Sequence, residues 1–222
     1  PEEAKRETAP IEAKAVDLVL LIDKSGSMSG PVTAPAIVQA KRAAIASAAA
    51  LGEGDSFALI SFGARAEVEL ELGDASRKDA LRLAVGRLVA DADATRAYLA
   101  LSAAWAQLKR SDAPVRHVLL LTDGEFTDQE QNYRSLVRAM QREGIGISAI
   151  ASTGAASGGD GLNVGKFRFL NRLLRSIGGS IRFGTSKEIP RIVLGEVREV
   201  LSAARPLREG GSSGAPRPER AH

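Results

Sequence analysis

Residues 17–29 read Asp-Leu-Val-Leu-Leu-Ile-Asp-Lys-Ser-Gly-Ser-Met-Ser. An unbroken apolar run, Leu18 to Ile22, stops at Asp23, and two hydroxyls follow at alternating positions, Ser25 and Ser27. Continuous apolar character over so short a run is the mark of a strand buried on both faces. Such a strand delivers a carboxylate and two neutral oxygens to one loop. Oxygen donors of this kind suit a hard divalent cation such as Mg²⁺. Asp and Ser are also ordinary turn residues, so the meaning of the stretch rests on what surrounds it.

Outward from this strand the chain alternates between two periodicities. Thr33 is placed to cap a helix that carries Ile37, Ala40, Lys41, Ala44, Ile45 and Ala48, with Pro35 in its first turn. Asp55–Ser61 and Arg65–Leu70 read as two strands joined by a short turn at Gly63, a hairpin whose second strand lies antiparallel at a sheet edge. There Ala66, Val68, Leu70 and Leu72 alternate with Glu67, Glu69 and Glu71, one face buried and one wet. Helices are expected over Ser76–Leu88, Ala97–Lys109, Gln129–Glu143, Lys166–Ile177 and Lys187–Ala204, with Gly144 closing the third of these. Strands are expected over Val115–Thr122, Ile145–Ala151 and Ser180–Phe183. Strands alternating with helices of this length specify an α/β domain with a mostly parallel sheet. Thr153–Gly165 is Gly-rich and reads as the longest internal loop. The domain is bounded at 15–205, between a polar segment at 1–14 and a linker-like tail at 206–222, both expected to be flexible.

A second strand also ends in a carboxylate: Leu119-Leu120-Leu121-Thr122 runs into Asp123-Gly124. In open α/β sheets, ligands bind beyond the carboxyl ends of strands where the strand order reverses. Were the two strands neighbours there, Asp23 and Asp123 would meet above the sheet. Thr95, just ahead of the helix at Ala97, supplies a hydroxyl that completes a set of Asp23, Ser25, Ser27, Thr95 and Asp123.

Over residues 15–200 the chain resembles von Willebrand factor A domains. The resemblance is carried by Asp-x-Ser-x-Ser at 23–27, Thr95, the Leu-Thr-Asp-Gly block at 121–124, and Ile-Pro-Arg-Ile at 189–192. It implies a Rossmann-like doubly wound sheet in the order 3-2-1-4-5-6, with strand 3 antiparallel and helices on both faces. It also implies a metal-ion-dependent adhesion site in which the serines bind Mg²⁺ (or Mn²⁺ or Ca²⁺) directly. In the family, one or both aspartates act through water, and the threonine exchanges between direct and water-mediated contact. The open position takes an Asp or Glu from a protein partner, because neutral hydroxyls leave the charge of the ion incompletely cancelled. One departure is Asp91-Ala92-Asp93-Ala94 before Thr95, where family members often carry glycines. This loop is expected to be stiffer or differently anchored, and its two acids would weaken recruitment of an acidic partner. The motifs are most similar to bacterial members that sit inside larger membrane-anchored proteins. Pro1 in place of Met and the linker-like end fit excision from such a parent, through which the domain would be tethered to a membrane.

Composition narrows the alternatives. The chain has 222 residues, enough for one domain with a substantial core, and no cysteine, so thiolate chemistry is excluded. The net charge is +3 and aromatics make up 4%, which argues against nucleic-acid partners. No apolar run is long enough to insert in a membrane. His117 and His222 lack the spacing of a zinc site, and no glycine cluster has the P-loop form. Trp105 reads as core, and Glu125 and Asp128 as solvated loop acids or outer-shell groups of the ion. Two rival functions remain. A Mg²⁺-dependent phosphoryl-transfer hydrolase would use Asp23 as nucleophile, but it wants a second acid where Ser25 stands and a positioned lysine. A structural domain with a vestigial metal site is the other. The reading favoured here is a non-enzymatic interaction module.

Overall fold

The computed structural model describes residues 14–29, 35–124, 126–128, 130–153 and 164–205. Six strands form one sheet: β1 (Val16–Asp23), β2 (Ser56–Phe62), β3 (Ala66–Asp74), β4 (Val115–Thr122), β5 (Ile145–Ser152) and β6 (Ser180–Gly184). Their order is β3-β2-β1-β4-β5-β6, with β3 antiparallel to β2 and every other pair parallel. The expected order and the antiparallel edge are therefore present. Among the described residues six α-helices cover the sheet: α1 (Ala36–Ala50), α2 (Lys78–Arg87), α3 (Ala97–Leu108), α4 (Glu130–Arg142), α5 (Arg168–Arg175) and α6 (Ile189–Ala204).

The alternation along β1 explains why helices lie on both faces. Val19 and Leu21 enter one core with Leu101, Leu108, Tyr133 and Leu173, under α3, α4 and α5. Leu18, Leu20 and Ile22 enter the other with Ile37, Ala44, Leu81 and Val193, under α1, α2 and α6. Every residue of β1 is buried, which is what an unbroken apolar run at the centre of a doubly covered sheet requires.

Several boundaries differ from the sequence expectation. Pro35 stands immediately before α1 rather than inside its first turn, and of the residues placed on that helix Ile45 is 41% exposed. Thr33, Glu125 and most of the Gly-rich loop lie outside the described residues, as do residues 1–13 and 206–222. Val68 is 40% exposed although its alternation placed it inward. The β2–β3 register shifts between Phe57 and Leu59 and again before Ile60, and a shift of one residue exchanges the faces of a strand. The helix expected from Lys166 begins as a 3-10 turn, Val164–Phe167, before α5. Gly144 does close α4, with φ +73, a left-handed conformation that glycine adopts without steric cost. Trp105 is at the rim of its core: its Nε1 donates to Glu143 Oε2 at 2.7 Å, with Lys109 over the ring.

Candidate metal centre

The sheet order places the centre. From β1 the chain runs outward to β2 and β3, then returns to β4 on the other side of β1. Ile22 pairs with Leu121 in the parallel register, so Asp23 and the Thr122-Asp123 pair leave the sheet side by side at its reversal point.

Asp23 is fully buried and doubly bonded. Its Oδ1 accepts the Ser25 backbone N–H at 2.8 Å, and its Oδ2 accepts the Thr122 hydroxyl at 2.5 Å. Ser25 Oγ and Ser27 Oγ lie 3.1 Å apart, and Ser27 Oγ donates to Asp123 Oδ1 at 2.7 Å. A chain of polar contacts therefore runs from β1 to β4 through the two serines. Thr95 is buried at the same place. A Cβ built on Gly124 would stand 3.8 Å from both Ser27 Oγ and Thr95 Oγ1. The five residues singled out in the sequence thus converge from three chain segments.

The loop carrying Thr95 is anchored through its backbone. Ala92 and Ser25 form an isolated parallel bridge; Gly26 N donates to Ala92 O at 2.8 Å and Ala92 N donates to Lys24 O at 3.1 Å. Arg96 N donates to Gly63 O at 2.9 Å, and the Thr127 hydroxyl accepts the Thr95 N–H at 3.1 Å. Gly63 is needed for this approach, since a Cβ there would come within 2.2 Å of Ala92 Cβ. The loop is fixed without glycines of its own because Gly63 on the neighbouring hairpin makes the room. Asp91 and Asp93 are exposed.

Three groups around the centre have contacts that were not legible in advance, although Asp128 reads in the sequence as a solvated loop acid or outer-shell group. Thr122 reads as one more strand residue, yet its hydroxyl orients Asp23. Lys166 Nζ donates to the main-chain oxygen of Asp123. Asp128 is half-buried and accepts the Tyr98 N–H at 3.0 Å, while the Tyr133 hydroxyl donates to its other oxygen. It is therefore a support for the start of α3. A threonine two residues before Gly124 was the only local signal for the first. The other two depend on contacts between distant segments.

The electrostatics follow from burial. Burial pushes the Asp23 carboxyl up to about 6; the bonds from Thr122 and Ser25 oppose the rise, and the Asp123 charge adds to it. Asp123 is raised as well, by burial first, with the Ser27 bond and Lys166 opposing. Among the described residues no cationic side chain bonds to either carboxylate. Two desolvated carboxylates beside one another, with hydroxyl oxygens between them, form a site short of positive charge. Among the described residues no group of three or more His, Cys, Asp or Glu exists that could hold a metal. The donor set here is instead two acids and three hydroxyls, hard oxygens that fit Mg²⁺ and exclude soft thiolate-type sites.

Similarity to known proteins agrees with this architecture. The chain is similar in fold to a von Willebrand factor type A protein from Catenulispora acidiphila (TM-score 0.69, 20% identity, 86% of this chain and 43% of that one). It is also similar to the pilus adhesin SpaC from Lactobacillus rhamnosus GG (TM-score 0.68, 15% identity, 86% and 31%). An aerotolerance-related membrane protein from Bacteroides fragilis NCTC 9343 matches over its whole length (TM-score 0.62, 15% identity, 83% and 100%). The chain spans less than half the length of the first two structures. No curated protein matches the sequence. The family model of the von Willebrand factor type A domain matches residues 17–166, and the chain belongs to that family.

Proposed function

We propose that this domain is a non-catalytic, metal-dependent protein-interaction module. Asp23, Ser25, Ser27, Thr95 and Asp123 would hold Mg²⁺, with Mn²⁺ and Ca²⁺ as the chemically related alternatives. The ion supplies a Lewis-acidic position that an Asp or Glu of a partner completes. The observation that carries this reading is the pair of buried carboxylates, Asp23 and Asp123, bridged through serine hydroxyls with no cationic side chain among the described residues bonded to either. Within the protein, Thr122 and the Ser25 N–H orient Asp23, Ser27 orients Asp123, and the backbone ties at Ala92 and Gly63 hold Thr95 against them. The similar fold of a pilus adhesin and of a membrane protein supports display of such a module by a larger bacterial parent.

The hydrolase reading is the weaker one. Ser25 occupies the place of the second acid, and Lys24 is committed to Glu67 on β3 at 2.7 Å, away from Asp23. Hydrolysis of a generic phosphate ester with Mg²⁺, lost in Asp23→Asn, would reverse this preference.

Thermal melts with and without Mg²⁺ test the proposal. A ligand at 100 times its Kd stabilises the native state by about 2.7 kcal/mol, so Mg²⁺ is expected to raise the Tm by several degrees. The rise should vanish in Asp23→Ala. A wild-type Tm indifferent to Mg²⁺, Mn²⁺ and Ca²⁺ would instead make the site vestigial.

A further inference from the structure

Two buried acids stand at the end of the sheet opposite the candidate metal centre, and their surroundings differ. Asp55 accepts the Val16 and Gly52 N–H groups and pairs with Arg205. Asp17 is 5% exposed, yet among the described residues its carboxylate has neither a hydrogen bond nor an ion pair. Buried carboxylates are ordinarily paired, because taking such a group out of water is costly. The flanking strands supply no partner. Asp17 stands in register with Ser56 on β2 and with Arg116 on β4. The Arg116 guanidinium donates instead to the main-chain oxygens of Leu108 and Glu143.

Asp17 lines a hollow of about 350 Å³ between the starts of β1 and β2, the end of β3 and the chain that leaves α3. The other polar groups on its wall are unequal. Gln107 is committed: it donates to Glu71 Oε2 and accepts the Leu72 N–H at 3.2 Å. The side chains of Ser56 and Arg110 also line the hollow, and among the described residues neither has a bond of its own. Arg110 is at the exposed rim and forms no ion pair with Asp17. With Asp17 and Glu71 against Arg110, the hollow is net negative, and its free carboxylate is the buried one.

This chemistry suits an organic cation better than a metal. A divalent ion wants six or more oxygen ligands, and among the described residues no group of three or more His, Cys, Asp or Glu could hold one. A guanidinium is planar and weakly hydrated, and its fork engages both oxygens of a carboxylate at once. We propose that the hollow is a binding site for a guanidinium group, its fork seated on Asp17 and a further N–H directed to the Ser56 hydroxyl. The group belongs either to an arginine side chain of a partner or to a free guanidine of similar size. Six residues of β1, at about 3.3 Å each, separate Asp17 from Asp23, so the site is independent of the metal reading.

Backbone amide NMR spectra of the full chain, recorded in chelator, test this with N-acetyl-arginine methylamide as the probe and its citrulline counterpart as the uncharged control. The arginine compound should shift the amide signals of Asp17, Ser56 and Gly73 saturably, and the citrulline compound should not. Asp17→Asn should weaken binding about tenfold or more without lowering the Tm, since it removes a buried carboxylate that has no partner. Arg110→Ala should tighten binding about twofold, because a competing cation at the rim is gone. A blocked pentapeptide with an internal arginine separates the two sources. Binding as tight as that of the small compound supports a protein side chain; binding of the small compound alone supports a free guanidine. No saturable shift, equal shifts with citrulline, or loss of binding in Arg110→Ala overturns the inference. So does displacement of the arginine compound by Mg²⁺, which makes the hollow a metal site. A Tm lowered by several degrees in Asp17→Asn also overturns it, by giving the carboxylate a structural role.

Discussion

Asp23 and His117 sit on adjacent strands and load the protein with opposite pH dependences. Asp23 rises from 3.8 to about 6 on folding. Its burial therefore costs nothing below the unfolded value and progressively destabilises the metal-free protein as pH climbs toward 6, by about 3 kcal/mol in total. His117 falls from 6.5 to about 4, because burial disfavours its charged form more than nearby Glu196 favours it; its Nε2 is paired with Ser148 Oγ at 2.7 Å. The unfolded chain binds that proton more readily between pH 4 and 6.5, so this group makes stability rise with pH over nearly the same window. The two contributions offset each other in the wild type. In chelator, urea melts of His117→Gln should therefore show stability falling from pH 4 to 6, and those of Asp23→Asn should show it rising. Slopes of the same sign in both variants would contradict the assignment. Saturating Mg²⁺ should flatten the fall in His117→Gln, since a bound cation keeps Asp23 ionised at little cost.

At the scale of elements, the geometry of the centre depends on loops meeting more than on any one helix or strand. Gly63 closes the β2–β3 hairpin, and its missing Cβ admits Ala92. Gly63→Ala should destabilise the protein by about 1–3 kcal/mol through overpacking. Its sharper signature is loss of most of the Mg²⁺-induced Tm rise, because the segment displaced is the one that carries Thr95. Gly195 is the useful contrast: it lies inside α6, is exposed, and has nothing within 4 Å of where a Cβ would stand. Gly195→Ala should stabilise by about 1 kcal/mol and leave the Mg²⁺ response intact. Paired melts of the two variants with and without Mg²⁺ separate a local fault in the site from a global change in stability.

Across the whole molecule, the end of the sheet opposite the candidate metal centre is closed by one buried acid. Asp55 accepts the Val16 N–H at 2.9 Å and the Gly52 N–H at 2.7 Å, and Arg205 pairs with the same carboxylate. The start of β1, the turn after α1 and the end of α6 are thereby tied at one point. Arg205 is partly exposed while the Asp55 side chain is fully buried. Removing the arginine leaves a buried charge short of its counterion, and Arg205→Ala should cost about 2–4 kcal/mol. Since this node lies a full strand length from Asp23, the Mg²⁺-induced shift measured on top of that lower Tm should be unchanged.

How much of this was written in the chain differs from group to group. Asp23, Ser25, Ser27 and Asp123 were readable because a donor at the end of a buried strand is a local pattern: the apolar run fixes the strand, and the strand fixes where its last residue stands. The mostly parallel character of the sheet followed from the alternation of periods 2 and 3.6, the antiparallel edge from the short turn at Gly63, and the strand order from the family resemblance alone. The outward face of Val68 was not readable, because a bulge changes the register without leaving a mark in the hydrophobic pattern. Nor were the bonds from Thr122 to Asp23, from Lys166 to Asp123 and from the Tyr98 N–H to Asp128, each joining residues whose own neighbours in sequence say nothing of the other. Sequence alone determined the elements and the oxygens they end in, because strand and helix periodicity act over a few residues. Tertiary structure decided which of those oxygens lie together and how much charge they share, because both depend on contacts and burial between segments far apart in the chain.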